Sequence, residues 1–213
     1  MAAIRGAPVY ILGLAVSIGV FHQFVLNGTG IPKVAAEMKM DPKTFISFPR
    51  SSSFKVGKDL SLVGVGTRSL AGVIKIYSAG FYVSPKIMKA PGKNTDDLMK
   101  NKGVKAIQLT FAMGVGAEKV ATALSGVPGV DQNVIDDFQQ MLLKGMGKPF
   151  KKGESMTLEW TKKGNLQVTV RGALVGELSD ASLVSGLLNM YLGKKPVSPG
   201  LKADIISTLG YSS

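Results

Sequence analysis

The sequence contains no cysteine and only one histidine among its 213 residues. Without cysteine, the chain can form no disulfide, thiol nucleophile, zinc–thiolate site or iron–sulfur site. The histidine, His22, lies in an apolar stretch near the N-terminus. The remainder of the chain therefore lacks the imidazole that a Ser-His-Asp triad, a histidine–zinc site or a histidine general base would need. We expect neither a metal nor a cofactor.

Charged residues are missing from residues 6–32, which contain no Asp, Glu, Lys or Arg. Within this stretch, residues 8–26 form an apolar run close to the roughly 20 residues that cross a bilayer as a helix. The apolar part of a cleavable signal is shorter, about 7–15 residues. The sequence therefore predicts a retained transmembrane helix at about 8–26 in an N-terminal segment 1–31. A stalk at 32–43, helical over 33–40, and a folded domain at 44–213 are expected to follow.

Acidic residues are scarce, since 14 Asp and Glu oppose 26 Lys and Arg and give a net charge of +12. The lysines gather at 86–93, 100–105 and 144–152. These stretches lack interleaved aromatic residues and an RNA-binding motif, so nucleic-acid binding is not predicted. Two interpretations remain, a solvated basic surface or attraction to anionic lipid headgroups beside the predicted anchor.

The most informative segment is 62–83, in which strand-like runs at 60–65 and 72–83 flank a glycine-containing turn that carries Arg68. Gly64 and Gly66 allow another backbone to approach closely. Burying a guanidinium without a counter-charge or full hydrogen bonding costs several kcal/mol. An inward-facing Arg68 therefore implies either a structural acid or an anionic ligand, whereas a surface-facing Arg68 implies neither.

The remaining pattern predicts an α+β fold. Strands are expected at 44–48 and 106–113, and helices at 117–125 and 132–144. A hairpin at 155–161 and 166–172 turns through 162–165. Helices at 180–192, capped by Ser179, and at 199–209 complete the chain.

Several short motifs occur in an order that resembles the chalcone isomerase family. They are G-x-G-x-R at Gly64, Gly66 and Arg68, a following G-x-Y at 80–82, F-P at 48–49, A-E-K-V at 117–120, and the segment 178–202. The resemblance covers roughly 45–209. It implies an open-faced β-sandwich, in which a helical layer covers an antiparallel sheet, joined here to the predicted N-terminal transmembrane helix.

The resemblance also implies that the chain is not an enzyme. In the enzymes of the family, an arginine orients a phenolate for addition to an enone, and Arg68 matches that arginine. The other catalytic positions fall on Tyr77, Gly116, Ala123 and Met190. The last three cannot hydrogen-bond an oxyanion through their side chains, so the family's chemistry is not expected.

Non-catalytic branches of the family include plastid fatty-acid-binding proteins and membrane-anchored mitochondrial proteins. By this resemblance, Arg68 and Tyr77 are expected to bind the carboxylate of a fatty acid or similar apolar acid, with Arg68 in the cleft between sheet and helices. The alternative is a ligand-free accessory or structural subunit of an organellar membrane protein complex, with Arg68 paired to Glu118 or Asp180. The expected location is the mitochondrial inner membrane, with a plastid membrane as the alternative.

Overall fold

The computed structural model describes residues 37–211, which contain nine strands and six helices. The strands are β1 (Met38–Met40), β2 (Ser47–Pro49), β3 (Ser51–Ser52), β4 (Leu60–Leu70), β5 (Ile74–Val83), β6 (Lys105–Phe111), β7 (Ser155–Trp160), β8 (Leu166–Val170) and β9 (Ala173–Leu178). The helices are α1 (Pro85–Lys89), α2 (Thr95–Lys100), α3 (Ala117–Ser125), α4 (Gln132–Met146), α5 (Ala181–Leu192) and α6 (Pro199–Leu209).

Strands β3 to β9 form one antiparallel sheet in which each strand pairs with the next along the chain. Strands β1 and β2 pair separately. The turn between β8 and β9 consists of Arg171 and Gly172, whose φ angles are +49° and +81°. Positive φ at both central residues is the geometry that matches the twist of a tight hairpin. The sheet is thus a meander in chain order, with α1 and α2 inserted between β5 and β6, and α3 and α4 inserted between β6 and β7.

The two faces of the large sheet carry different cores, as the alternation along β5 illustrates. Ala79, Phe81 and Val83 are buried in a large cluster shared with the helices. Tyr82 points the other way, into a smaller cluster that includes Phe48 and Leu60. Since side chains alternate along a strand, one strand serves both cores. The helical layer on one face and the smaller cluster on the other agree with the predicted α+β fold.

Helix α6 lies directly on β4 because two glycines leave room for it. A Cβ atom on Gly66 would lie 2.2 Å from the backbone nitrogen of Leu201, and one on Gly64 would lie 2.5 Å from Ile205 Cγ1. Neither distance is tolerable for real atoms. The predicted close backbone approach at these glycines is therefore present, and its partner is the last helix.

Three local predictions need correction. The glycines do not form a turn, because β4 runs unbroken from Leu60 to Leu70 and Arg68 lies within the strand. The helix expected at 33–40 is wrong for Met38–Met40, which pair with β2 as a strand. Helix α5 is capped by Asp180 rather than Ser179, because the Asp180 carboxylate accepts a hydrogen bond of 2.8 Å from the Leu183 amide.

The part of the predicted stalk that the structure describes is attached to the sheet. Asp41 is buried, and its Oδ2 accepts hydrogen bonds of 2.6 Å from Thr67 Oγ1 and Ser78 Oγ. A buried carboxylate requires such partners. Residues 38–41 therefore belong to the folded unit.

The predicted transmembrane helix at 8–26 lies outside the described residues. Among the helices within residues 37–211, none combines the length and the apolar character that crossing a bilayer requires. The anchor remains a prediction from the sequence.

Candidate ligand-binding site

Arg68 and Tyr77 lie opposite each other on neighbouring strands. They are directly paired in the register of β4 and β5, which puts their side chains on one face of the sheet. That face is the helical one, since Tyr77 packs against the large core. Both side chains are half-buried. The sequence prediction that Arg68 lies between sheet and helices, next to Tyr77, agrees with this geometry.

The close packing of α6 fixes the surroundings of Arg68. The segment that leads into α6 crosses β4, where Ser198 Oγ donates a hydrogen bond of 3.0 Å to the Thr67 carbonyl. One residue earlier, the Val197 carbonyl accepts a hydrogen bond of 3.0 Å from Arg68 Nη1. A guanidinium has five N–H donors, so this bond uses only a part of its capacity. The glycines of β4 thus bring a carbonyl to the arginine without neutralising its charge.

Tyr191 of α5 adds a second hydroxyl to the site. Its Oη lies 3.3 Å from Tyr77 Oη, and its side chain is completely buried. Burial raises the pKa of Tyr77, although the Tyr191 hydrogen bond and the Arg68 charge act in the opposite direction. Burial, followed by the effect of Tyr77, raises the pKa of Tyr191 still more. Both hydroxyls therefore remain protonated at neutral pH, and one of the two can donate to a ligand while the other donates within the pair.

These polar groups line a cavity of about 210 Å³. Its remaining wall is almost entirely apolar. The apolar lining consists of Leu70, Ile76, Leu109, Phe111, Val115, Val120, Ala123, Leu124, Met190 and Val197. Lys119 is an exposed second cation in the lining. An apolar cavity with a few convergent cationic and hydroxyl groups is suited to a molecule with an acidic head and an apolar body.

Neither of the acids predicted as an alternative partner of Arg68 forms an ion pair with it in the structure. Glu118 is exposed, and Asp180 caps α5. The ion pairs within residues 37–211 join Lys39 to Asp204, Arg50 to Glu37 and Arg171 to Glu154. None of them involves Arg68, whose charge is left without a carboxylate partner in this part of the chain.

The positions that the family resemblance singled out come together at this cavity. Tyr77, Ala123 and Met190 line it with Arg68, although they lie on β5, α3 and α5. Gly116 caps the N-terminus of α3, next to the lining residue Val115. At Ala123 and Met190, the wall presents apolar groups where polar ones would be needed to stabilise a reacting oxyanion. At these two positions, the cavity therefore lacks the polar side chains that the reaction would need.

Sequence reasoning missed Tyr191 and Lys119. Tyr191 follows Met190 directly, inside the segment 178–202 that carried the resemblance, and Lys119 lies within A-E-K-V. Both were therefore within recognised motifs. Their spacing gave no indication that α3 and α5 would bring them to the same cavity as two strands.

Comparison with known proteins gives the family and the fold of the chain. The profile of the chalcone isomerase-like family matches residues 44–207. The chain belongs to the chalcone isomerase-like family. The crystal structure of a fatty-acid binding protein from Arabidopsis thaliana has the same fold, with a TM-score of 0.65 and 22% sequence identity over 81% of this chain and 97% of that chain.

Two curated relatives from Arabidopsis thaliana are also similar in sequence. Fatty-acid-binding protein 1 is 26% identical over 87% of this chain and 75% of its own length. Fatty-acid-binding protein 2 is 25% identical over 78% of this chain, which corresponds to 49% of its own length. Both are named for binding and not for catalysis. This agrees with the prediction that the chain is not an enzyme.

Proposed function

We propose that this protein binds a fatty acid or a similar apolar acid without transforming it, with Arg68 and Tyr77 holding the carboxylate in the cavity. The observation that carries the proposal is a half-buried arginine without a carboxylate partner in residues 37–211, at the wall of an otherwise apolar cavity. The names of the Arabidopsis relatives support the same ligand class.

The chemistry of the site fits a carboxylate better than a neutral head. A guanidinium offers two parallel N–H donors, and this fork matches the two oxygens of a carboxylate. The hydroxyls of Tyr77 and Tyr191 can add one neutral donor. The size of the cavity limits the length of the ligand, because its volume of about 210 Å³ is less than the roughly 300 Å³ of the smallest ordinary ligand pockets. A cavity of about 150 Å³ holds benzene, so the present volume suits a short or medium chain unless the cavity widens.

The test is native mass spectrometry of the full-length chain with a series of saturated fatty acids of increasing length. Wild type should acquire the mass of one acid. Arg68→Ala should weaken binding by roughly 2–4 kcal/mol, or about 30-fold to 1,000-fold, because a charge-assisted pair is lost and the carboxylate is left unpaired. Arg68→Lys should recover only part of the affinity, since an ammonium cannot reproduce the planar fork.

Arg50→Ala is the matched control, because it removes a guanidinium whose ion pair with Glu37 is largely exposed. The affinity of Arg50→Ala for fatty acids should equal that of wild type. Equal affinity for wild type and Arg68→Ala would remove Arg68 from the site. No bound acid in any sample would contradict ligand binding and would favour the second candidate, a ligand-free accessory subunit of an organellar membrane complex.

We also propose that residues 8–26 tether the protein to an organellar membrane, with the mitochondrial inner membrane as the first expectation and a plastid membrane as the alternative. Support comes from the length of the run and its lack of charge. Carbonate extraction of membranes tests the tether, since recovery of the intact chain in the soluble fraction would contradict it. Microscopy of the tagged chain against markers for both organelles tests the location.

A further inference from the structure

A larger cavity, of about 760 Å³, lies away from the Arg68 site and has a different chemical character. Five lysines line it: Lys100, Lys102, Lys105, Lys162 and Lys163. No Asp or Glu is among its lining residues. We call this cavity the lysine groove. Its volume is within the range of ordinary ligand sites.

Lys105 distinguishes the lysine groove from a solvated basic surface. Four of the lysines are exposed, but Lys105 has only 3% of its surface accessible. Its ammonium donates to the carbonyls of Asn101 and Gly103, which are neutral, and no carboxylate contacts it within the described residues. An ammonium has three donors, so one remains for a further partner. Burial lowers the pKa of Lys105 to about 8, so the side chain still carries its proton at neutral pH.

Two of the acids near the groove accept hydrogen bonds from other groups. The Asp180 carboxylate accepts from the Leu183 amide at the start of α5. The Glu177 carboxylate accepts from the side-chain amides of Asn165 and Gln167. Neither of these two carboxylates neutralises a lysine of the groove.

We propose that the lysine groove is a second binding site, specific for a phosphate-bearing anion. A phosphate monoester carries nearly two negative charges and three acceptor oxygens, which several separate ammonium groups can share. Lysine is an effective point-charge partner for phosphate, whereas a carboxylate is better matched by an arginine fork, which the groove lacks. The phosphate can belong to a lipid headgroup or to a soluble molecule, and both present the same chemistry to the lysines.

The groove is separate from the fatty-acid cavity. Lys105 begins β6 and Phe111, a lining residue of the cavity, ends it. At about 3.3 Å per residue, the two ends of this strand are roughly 20 Å apart. Helix α5 links the sites in the same way, because Ser182 at its start lines the groove and Met190 near its end lines the cavity. The two sites can therefore be occupied and tested independently.

Trp160 supplies a direct readout. It is the only tryptophan of the chain, it lines the lysine groove, and its Nε1 donates to the Val184 carbonyl. Titration of the full-length chain with inorganic pyrophosphate should produce a saturable change in tryptophan fluorescence. A parallel flotation assay compares phosphatidylcholine vesicles with and without phosphatidic acid. Because binding free energies add, the ratio of the two partition coefficients cancels a free-energy contribution common to both vesicles.

The test variant is Lys162→Gln with Lys163→Gln, since both side chains are exposed on the hairpin between β7 and β8. The matched control is Lys151→Gln with Lys152→Gln, which loses the same charge beyond the other end of β7. The groove variant should bind phosphate probes at least roughly tenfold more weakly, and the control should remain within about twofold of wild type. Lys105→Met, checked for folding by circular dichroism, should show the same loss.

The outcomes distinguish a soluble phosphate from a lipid headgroup, and a specific site from an effect of overall charge. A response of wild type that is lost in the groove variant supports the site. A response to pyrophosphate alone identifies a soluble phosphate, a response to phosphatidic acid alone identifies a lipid headgroup, and a response to both shows that the site accepts either. Equal losses in the groove and control variants would reduce the effect to overall charge and overturn the proposal. No response of wild type to either probe would overturn it as well.

Discussion

Gly66→Ala should be strongly destabilising, because α6 rests on the backbone of β4 at this residue. The added Cβ would lie 2.2 Å from Leu201 N, 2.6 Å from Leu201 Cα and 2.9 Å from the Gly200 carbonyl carbon. Carbon contacts are favourable at about 3.5–4.0 Å, so the helix would have to retreat by about 1 Å or more. Overpacking costs about 1–3 kcal/mol, and the upper end is expected here because the obstructing atoms are backbone atoms that cannot rotate away.

Gly200→Ala is the matched control on the other side of the same contact. Its Cβ would meet no atom within 4 Å, and Gly200 lies within α6. Alanine should therefore be neutral or stabilising by up to about 1 kcal/mol, since it lowers the backbone entropy cost of the helix. The two substitutions are chemically identical, and only Gly66→Ala is predicted to destabilise the protein.

Urea unfolding of the full-length chain, followed by the fluorescence of Trp160, measures both effects as changes in the free energy of unfolding. Gly66→Ala should also weaken fatty-acid binding, because displacement of α6 moves the Val197 carbonyl away from Arg68. Equal stability of Gly66→Ala and Gly200→Ala would refute the argument that α6 lies on β4 at Gly66.

Three further predictions concern the cavity. The free energy of unfolding should fall above about pH 10, because Tyr77 and Tyr191 keep their protons in the folded state at pH values where an unfolded tyrosine ionises. Unfolding measured across pH should show a smaller fall in stability for Tyr191→Phe than for wild type. An unchanged pH profile in this variant would argue against burial as the cause of the raised pKa values. Met190→Ala should enlarge the cavity and shift the preferred fatty acid to a longer chain in native mass spectrometry, whereas an unchanged preference would show that Met190 does not limit the length. The purified protein should not accelerate the loss of enone absorbance of a chalcone, and a rate well above buffer that Arg68→Ala abolishes would contradict the argument from the changed polar positions.

Local patterns were sufficient to predict elements whose ends carry their own signals. The bounds of α3 and α6 agree with the prediction, and α6 begins with Pro199 and ends before Gly210, the residues that favour those positions. The hairpin of β7 and β8 was also predicted from its turn. Strand β9 was missed, because its tight turn contains Arg171 at positive φ, where glycine or asparagine would have been the recognisable signal.

Other errors arose where contact with another element determines the structure. Gly64 and Gly66 suggest a turn when β4 is considered alone, yet they serve the approach of a helix more than 130 residues later. Met38–Met40 have a helical composition but become a strand because β2, which begins seven residues further along the chain, supplies hydrogen-bonding partners. In both cases, contacts with another element override the local preference.

The candidate site was predictable only in part, for the same reason. Arg68 and Tyr77 followed from the family resemblance, and their proximity follows from the register of two adjacent strands. Tyr191 reaches Tyr77 from a helix 114 positions later in the chain. The volume of the cavity depends on how α3 and α5 settle on the sheet, and no residue pattern encodes that distance.

The most direct test of ligand binding at Arg68 is a crystal structure of the protein with a bound medium-chain fatty acid. The proposed function predicts the carboxylate within hydrogen-bond distance of the Arg68 guanidinium and of the Tyr77 hydroxyl, with the alkyl chain along Leu109 and Phe111. An acid bound with its carboxylate away from Arg68, for example on Lys119 alone, would contradict the assigned role of the arginine. An empty cavity at saturating acid would contradict the function itself.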